Sequence, residues 1–285
     1  MMHWHAFHSH YIRRLLLLIC LFLSACGGSS GGTPSATTTA ASSSTPTSPT
    51  DGIAGNPPVV NADIKILMMG NSHTVQSQLP ARLEAMMRLG HPGKTVSVVV
   101  APASLFLDEH LQHAPTLVLL KEQSWSYVIL QAQKYSSSGQ FKYSTSEAIA
   151  LVGLARKSNA IPVLYPEWPR KGIAETSRIL EQHIAIANAA PACIAPIGQA
   201  WDIALQRQAA LPLYSDDGNH ADPAGAHLTA LVLYATLSGK SPSALPAISP
   251  SDISAAVQQQ LRLAAEDAVQ ANSPRKYCPL DKLIF

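Results

Sequence analysis

From Val59 onward, short apolar runs alternate with longer stretches of mixed character. "ADIKILMMG" (62–70), "TVSVVVA" (95–101), "SYVILQAQ" (126–133), "IPVLYPEW" (161–168) and "CIAPIG" (193–198) are rich in Val, Ile and Leu. They lack clean in–out alternation, as strands covered on both faces do. Helix candidates fall between and after them, near 75–89, 105–122, 145–158, 175–189 and 199–209. Two further helices close the run. "DPAGAHLTALVLYATLSG" (222–239) opens on Asp222 as N-cap, has Pro223 at its first helical position and stops at Gly239. "SDISAAVQQQLRLAAEDAVQ" (251–270) sets Ile253, Ala256, Val257, Leu261, Ala264 and Ala268 on one face. Strand–helix alternation of this kind predicts a parallel sheet with helices on both faces. The domain it defines spans residues 58–285.

The first 57 residues follow neither rhythm. "MMHWHAFHSHYIRR" is polar and basic, and "LLLLICLFL" (15–23) is an apolar core of nine residues. A membrane-spanning helix needs roughly 20. The segment reads as an export signal, with residues 1–25 removed. It ends in "LSAC" (23–26), which resembles a bacterial lipobox. That resemblance implies cleavage before Cys26 and a diacylglycerol on its thiol, hence an exported chain anchored to the cell envelope. Gly27 in place of Asp implies the outer membrane. His3, His5, His8 and His10 mimic a metal cluster but would leave with the signal, so no metal site is expected. Residues 26–57, Gly, Ser, Thr, Pro and Ala almost throughout, read as a tether with a reach of roughly 30 Å.

Charge changes the picture by exclusion. Charged residues make up 13% of the chain and the net charge is +2, which Arg13 and Arg14 of the leader account for. A balanced body argues against nucleic acid as a partner. Two cysteines remain beyond Cys20 and Cys26. Cys193 and Cys278 either pair in an oxidising compartment or stay as separate buried thiols.

In an open parallel sheet, sites form beyond the carboxyl ends of the strands. The first strand delivers Gly70, Asn71 and Ser72; the second Ala101 to Ser104; the third Gln131 and Gln133; the fourth Glu167, Trp168 and Arg170. The loop "LYSDDGNHADP" (213–223) delivers Asp216, Asp217 and His220. A serine needs a base to take its proton, and the base needs a third group to set its tautomer. Asp217 and His220, three apart around Gly218, can place the carboxylate at Nδ1 and turn Nε2 to Ser72. Asp216 and Glu167 are alternative acids, and His73 an alternative base.

The order of these pieces points to a family. "ILMMGNSHT" resembles the first block of the SGNH/GDSL hydrolases, with Gly-Asn-Ser for the commoner Gly-Asp-Ser. "DGNHADPAGAHLTALVLYATLSGKSP" resembles the last block, and "ASLFLDEH", "WSYVILQAQKYS", "IPVLYPEWPRKG" and "APIGQAWDIA" resemble those between. The resemblance implies a three-layer α/β/α sandwich around a mostly five-stranded parallel sheet, flavodoxin-like in plan. It implies Ser72 as nucleophile, His220 as general base and acid and Asp217 as orienting carboxylate, with no cofactor. The oxyanion hole would use the Ser72 N–H. The family's block-two glycine and block-three asparagine are absent here, which leaves Ser104 (or Ala103), Gln131 and Gln133 as stand-ins. The implied activity is hydrolysis of carboxylic esters, short acyl or O-acetyl groups on a small molecule or an acylated glycan. A lipase or thioesterase, or a non-catalytic surface binding lipoprotein, are the alternatives.

Overall fold

The computed structural model describes residues 61–249 and 251–284. The leader, Cys26 and the tether lie outside the described residues. Five strands, β1 (Ile64–Met69), β2 (Val96–Val100), β3 (Tyr127–Gln131), β4 (Ile161–Tyr165) and β5 (Cys193–Ile194), form one sheet in the order β2-β1-β3-β4-β5. Every pairing is parallel. The chain leaves β1 toward β2 and then returns to the other side for β3. The crevice at the carboxyl end of β1 is therefore the switch point, where open α/β sheets bind ligands.

The period-two alternation of the strands divides two cores. Ile64, Ile66, Met68, Tyr127, Ile129, Val163 and Tyr165 face one side. There they pack with α1 (Leu79–Gly90), α6 (Ile197–Arg207), α7 (Pro223–Ser238) and α8 (Ala255–Ala271). Leu67, Met69, Val128, Leu130 and Leu164 face the other, with α2 (Leu107–His110), α3 (Ala114–Glu122), α4 (Ser146–Lys157) and α5 (Thr176–Ala189). α7 is buried from Ala224 to Ser238. Its polar side chains are satisfied locally: Thr236 and Ser238 donate to the carbonyls four residues back, and Thr229 accepts from Trp201 Nε1.

Several elements differ from the sequence pattern, each for a local reason. The helix expected over 105–122 is two, because Pro115 has no N–H to continue the first. The helix expected from residue 75 starts at Leu79, after Ser77 and Gln78 take left-handed φ angles of 50° and 60°. β4 stops before Pro166, and β5 shrinks to two residues before Pro196. β3 ends at Gln131 because Ala132 turns left-handed, φ 73°. Gln131 and Gln133 therefore do not share a strand face. Cys193 and Cys278 are joined as a disulfide, their Cα atoms 5.0 Å apart.

Candidate active site

The nucleophile candidate stands on a tight turn. Asn71 is extended (φ −98°, ψ −156°), and its side-chain oxygen accepts the His73 N–H, capping a one-turn 3-10 helix over Ser72–Thr74. Gly70 is required by crowding: a Cβ there would collide with the Gln131 side chain and the Thr74 methyl. The turn carries the half-buried Ser72 hydroxyl into the crevice.

The late loop meets it there. An antiparallel bridge between Tyr214 and Ala221 closes the loop, and Gly218 inside it has φ 67°. Asp217 Oδ1 accepts the backbone N–H groups of Asn219 and His220, each at 2.9 Å, while Oδ2 accepts His220 Nδ1–H at 2.5 Å. Acid and base are thus positioned by the backbone they share. With the proton on Nδ1, His220 Nε2 is left as acceptor for the Ser72 hydroxyl at 2.7 Å. The His220 bond, reinforced by the two backbone bonds, holds the exposed Asp217 carboxyl well below the usual carboxylate range. Asp216 is exposed and makes no hydrogen bond to His220.

His73, the alternative base, is a wall. Its Nδ1 bonds to Asn71 Oδ1, and its ring stacks on His220 at 4.9 Å and tilts against Trp168 at 5.1 Å. Burial pushes it down to about 4, so the ring is neutral at pH 7. Trp168 stacks on Trp201 at 4.5 Å and donates its Nε1–H to the Asn219 carbonyl, steadying the residue before His220. Lys171 N–H to Gly218 O and Tyr214 hydroxyl to Pro169 O lace the same loop to the segment after β4.

The oxyanion donors need correction. Gln131 spends both ends of its amide inside the protein: Oε1 accepts the Asn71 N–H at 2.9 Å, and Nε2 donates to Glu167 Oε2 at 2.7 Å. Gln133, turned away by Ala132, donates Nε2 to the carbonyls of Lys134 and Ser144. Gln133 thus has no N–H left for an oxyanion, while the buried Gln131 has one Nε2–H committed to Glu167. Ser72 and the exposed Ser104 keep backbone N–H groups that make no hydrogen bond among the described residues. Leu105 N–H bonds to Gly70 O at 3.1 Å and draws the Ala103–Ser104 segment against the nucleophile turn.

His110 and Glu167 gain roles the sequence did not signal. His110 is fully buried, and its Nε2–H donates to the same Gly70 carbonyl at 3.1 Å. Nothing in a lone helical histidine marks that contact. Glu167 is partly buried beside Gln131, and burial pushes its carboxyl up to about 7.

No protein-family model and no curated protein matches the sequence. Solved structures do. A DUF4886 family protein from Bacteroides uniformis shares 16% identity over 77% of this chain and 99% of its own, with a TM-score of 0.57. A candidate SGNH hydrolase from Slackia heliotrinireducens shares 27% identity over 60% of this chain and 97% of its own, at 0.48. An acetyl xylan esterase from Geobacillus stearothermophilus shares 12% identity over 60% and 93%, at 0.42. The fold, a five-stranded parallel sheet between helices, is that of the DUF4886 family protein. In this frame the Ser72 turn follows the first strand and the Asp217–His220 loop runs into α7.

Proposed function

We propose that the protein is a serine hydrolase of carboxylic esters, acting outside the cytoplasm on short acyl or O-acetyl groups of a small molecule or a polysaccharide. The observation that carries this reading is the hydrogen-bonded line Ser72–His220–Asp217 at the switch point of the sheet. Ser72 attacks the ester carbonyl as His220 Nε2 takes its proton. The Ser72 and Ser104 N–H groups receive the tetrahedral oxyanion. His220 then protonates the leaving alcohol, and water, activated by the same imidazole, clears the acyl-enzyme. Asp217 keeps the Nδ1 proton in place and steadies the imidazolium. No step calls for a cofactor. Export by the leader and anchoring through Cys26 would hold the domain on an envelope membrane, the outer one by the Gly27 signal.

The fully engaged Gln133 amide, and the Gln131 amide committed to Glu167, favour a second reading, a binding lipoprotein on the same fold. Turnover of a short-chain p-nitrophenyl ester separates the two. Wild type should hydrolyse it and take up a fluorophosphonate, and Ser72→Ala should do neither. Equal rates with no label on either protein would make the binding reading correct. Preference for acyl-thioesters or long-chain lipids in the same screen would redirect the substrate class.

A further inference from the structure

The peptide unit joining Gly70 to Asn71 comes immediately before Ser72, and both of its polar atoms are held. Its carbonyl receives Leu105 N–H and His110 Nε2–H, each at 3.1 Å. Its N–H is received by Gln131 Oε1 at 2.9 Å. The rotation of that peptide fixes where the Ser72 hydroxyl and N–H point. A glutamine amide has two nearly equivalent orientations, and the reversed one would set two donors face to face at Asn71. What selects the observed orientation is an acceptor at the other end of the amide, Glu167 Oε2 at 2.7 Å from Gln131 Nε2.

We propose that Glu167 is a positioning residue for the nucleophile: its carboxylate sets the Gln131 amide that holds the Asn71 N–H. This inference rests on the ester-hydrolase reading of the same site. An ionised acceptor binds an amide N–H more strongly than a neutral one.

The surroundings let that charge come and go near neutrality. Burial and the neighbouring Glu175 raise the carboxyl, the Gln131 bond, Arg170 and His220 pull it down, and the balance leaves it at about 7. Glu175 is itself fully buried and paired with Arg170. Tyr135, from the loop after β3, donates its hydroxyl to Glu175, and Tyr165 lies on β4; burial raises both phenols, which stay neutral. His73, Trp168 and His220 complete the apolar side of the crevice.

The test compares kcat of wild type and Glu167→Gln on a p-nitrophenyl ester across pH, with Glu167→Asp as the conservative variant. At about pH 8.5 wild type should be faster than Glu167→Gln by about tenfold, with KM nearly unchanged. At about pH 5.5, where Glu167 is protonated in wild type, the ratio should approach one. Glu167→Asp should recover part of the alkaline advantage. A ratio that is the same at every pH overturns the proposal, since a merely structural residue gives that result. Should the variants fail to fold, infrared spectra of wild type decide. A carboxylic-acid band that persists at about pH 6 and bleaches by about pH 8 supports the proposal, and its absence overturns it. Wild type as inactive as Ser72→Ala would instead remove the hydrolase reading beneath it.

Discussion

The disulfide offers the sharpest test of what holds the domain together. Cys193 lies on the two-residue edge strand β5, and Cys278 in the segment after α8; each is 1% exposed. The bridge spans 85 residues of sequence. In the chain-entropy treatment, closing a loop of that length removes about 15 cal/mol/K from the unfolded chain, or about 4.6 kcal/mol at 25 °C. Replacing both cysteines by alanine also removes two buried sulfur atoms, adding about 1 kcal/mol. Other ties to the tail persist: Ile194 N–H still reaches the Pro274 carbonyl, and Arg156 still grips Asp281 with both nitrogens. The expected loss is therefore about 4–6 kcal/mol, a large share of the roughly 5–15 kcal/mol that stabilises a domain. Tm should fall by about 10–20 °C. Urea unfolding of oxidised wild type and Cys193→Ala/Cys278→Ala, followed by tryptophan fluorescence, measures it. Each single substitution should cost nearly as much as the pair, since either one opens the loop. A double-variant loss below about 1 kcal/mol would refute the claim that the bridge restrains the unfolded chain.

Three further outcomes are expected. Burial holds His73, His183 and His227 at about 4 against an ordinary 6.5, while Glu167 is raised from 4.5 to about 7. Between about pH 5.5 and 4.5 the unfolded chain holds protons on three histidines that the folded chain mostly lacks, while the folded chain holds one on Glu167 that the unfolded chain mostly lacks, a difference of about two. Stability should therefore drop on acidification by about 2–3 kcal/mol per pH unit, and a Tm that rises over that window would contradict the burial of these rings. Asp217→Asn should leave Tm within a few degrees but lower kcat by about 10³–10⁴, because an amide permits the wrong His220 tautomer; a loss under about tenfold would point to Asp216 or Glu167 as the acid. In a bacterial host, labelled palmitate should enter wild type and not Cys26→Ala, and equal labelling would end the anchoring proposal.

The strands were readable because residues buried on both faces leave uninterrupted runs of Val, Ile and Leu, as in "IKILMM" and "YVILQ". The Ser72 turn and the Asp217–His220 loop were readable because each is local: three or four adjacent residues carry the geometry. The fate of Gln131 was not. It depends on one left-handed residue, Ala132, and on a carboxylate 36 positions away. An alanine in that conformation has no compositional signature, since the usual marker is glycine. Glu167 and His110 escape for a related reason. Their roles consist of contacts with Gln131 and Gly70, which exist only once β1, β3 and β4 lie side by side. The divided helix after β2 is different: Pro115 was visible, and its effect is to end one helix and begin another.

Asp217 and His220 are set against one another by their own loop, so they move as one cartridge. Only the contact between Ser72 and His220, 148 positions apart in sequence, depends on the tertiary structure. The hydrogen-bonded line thus has one joint. A change of length between the two ends leaves the loop's own acid–imidazole geometry intact, and the line survives wherever that single 2.7 Å gap is kept.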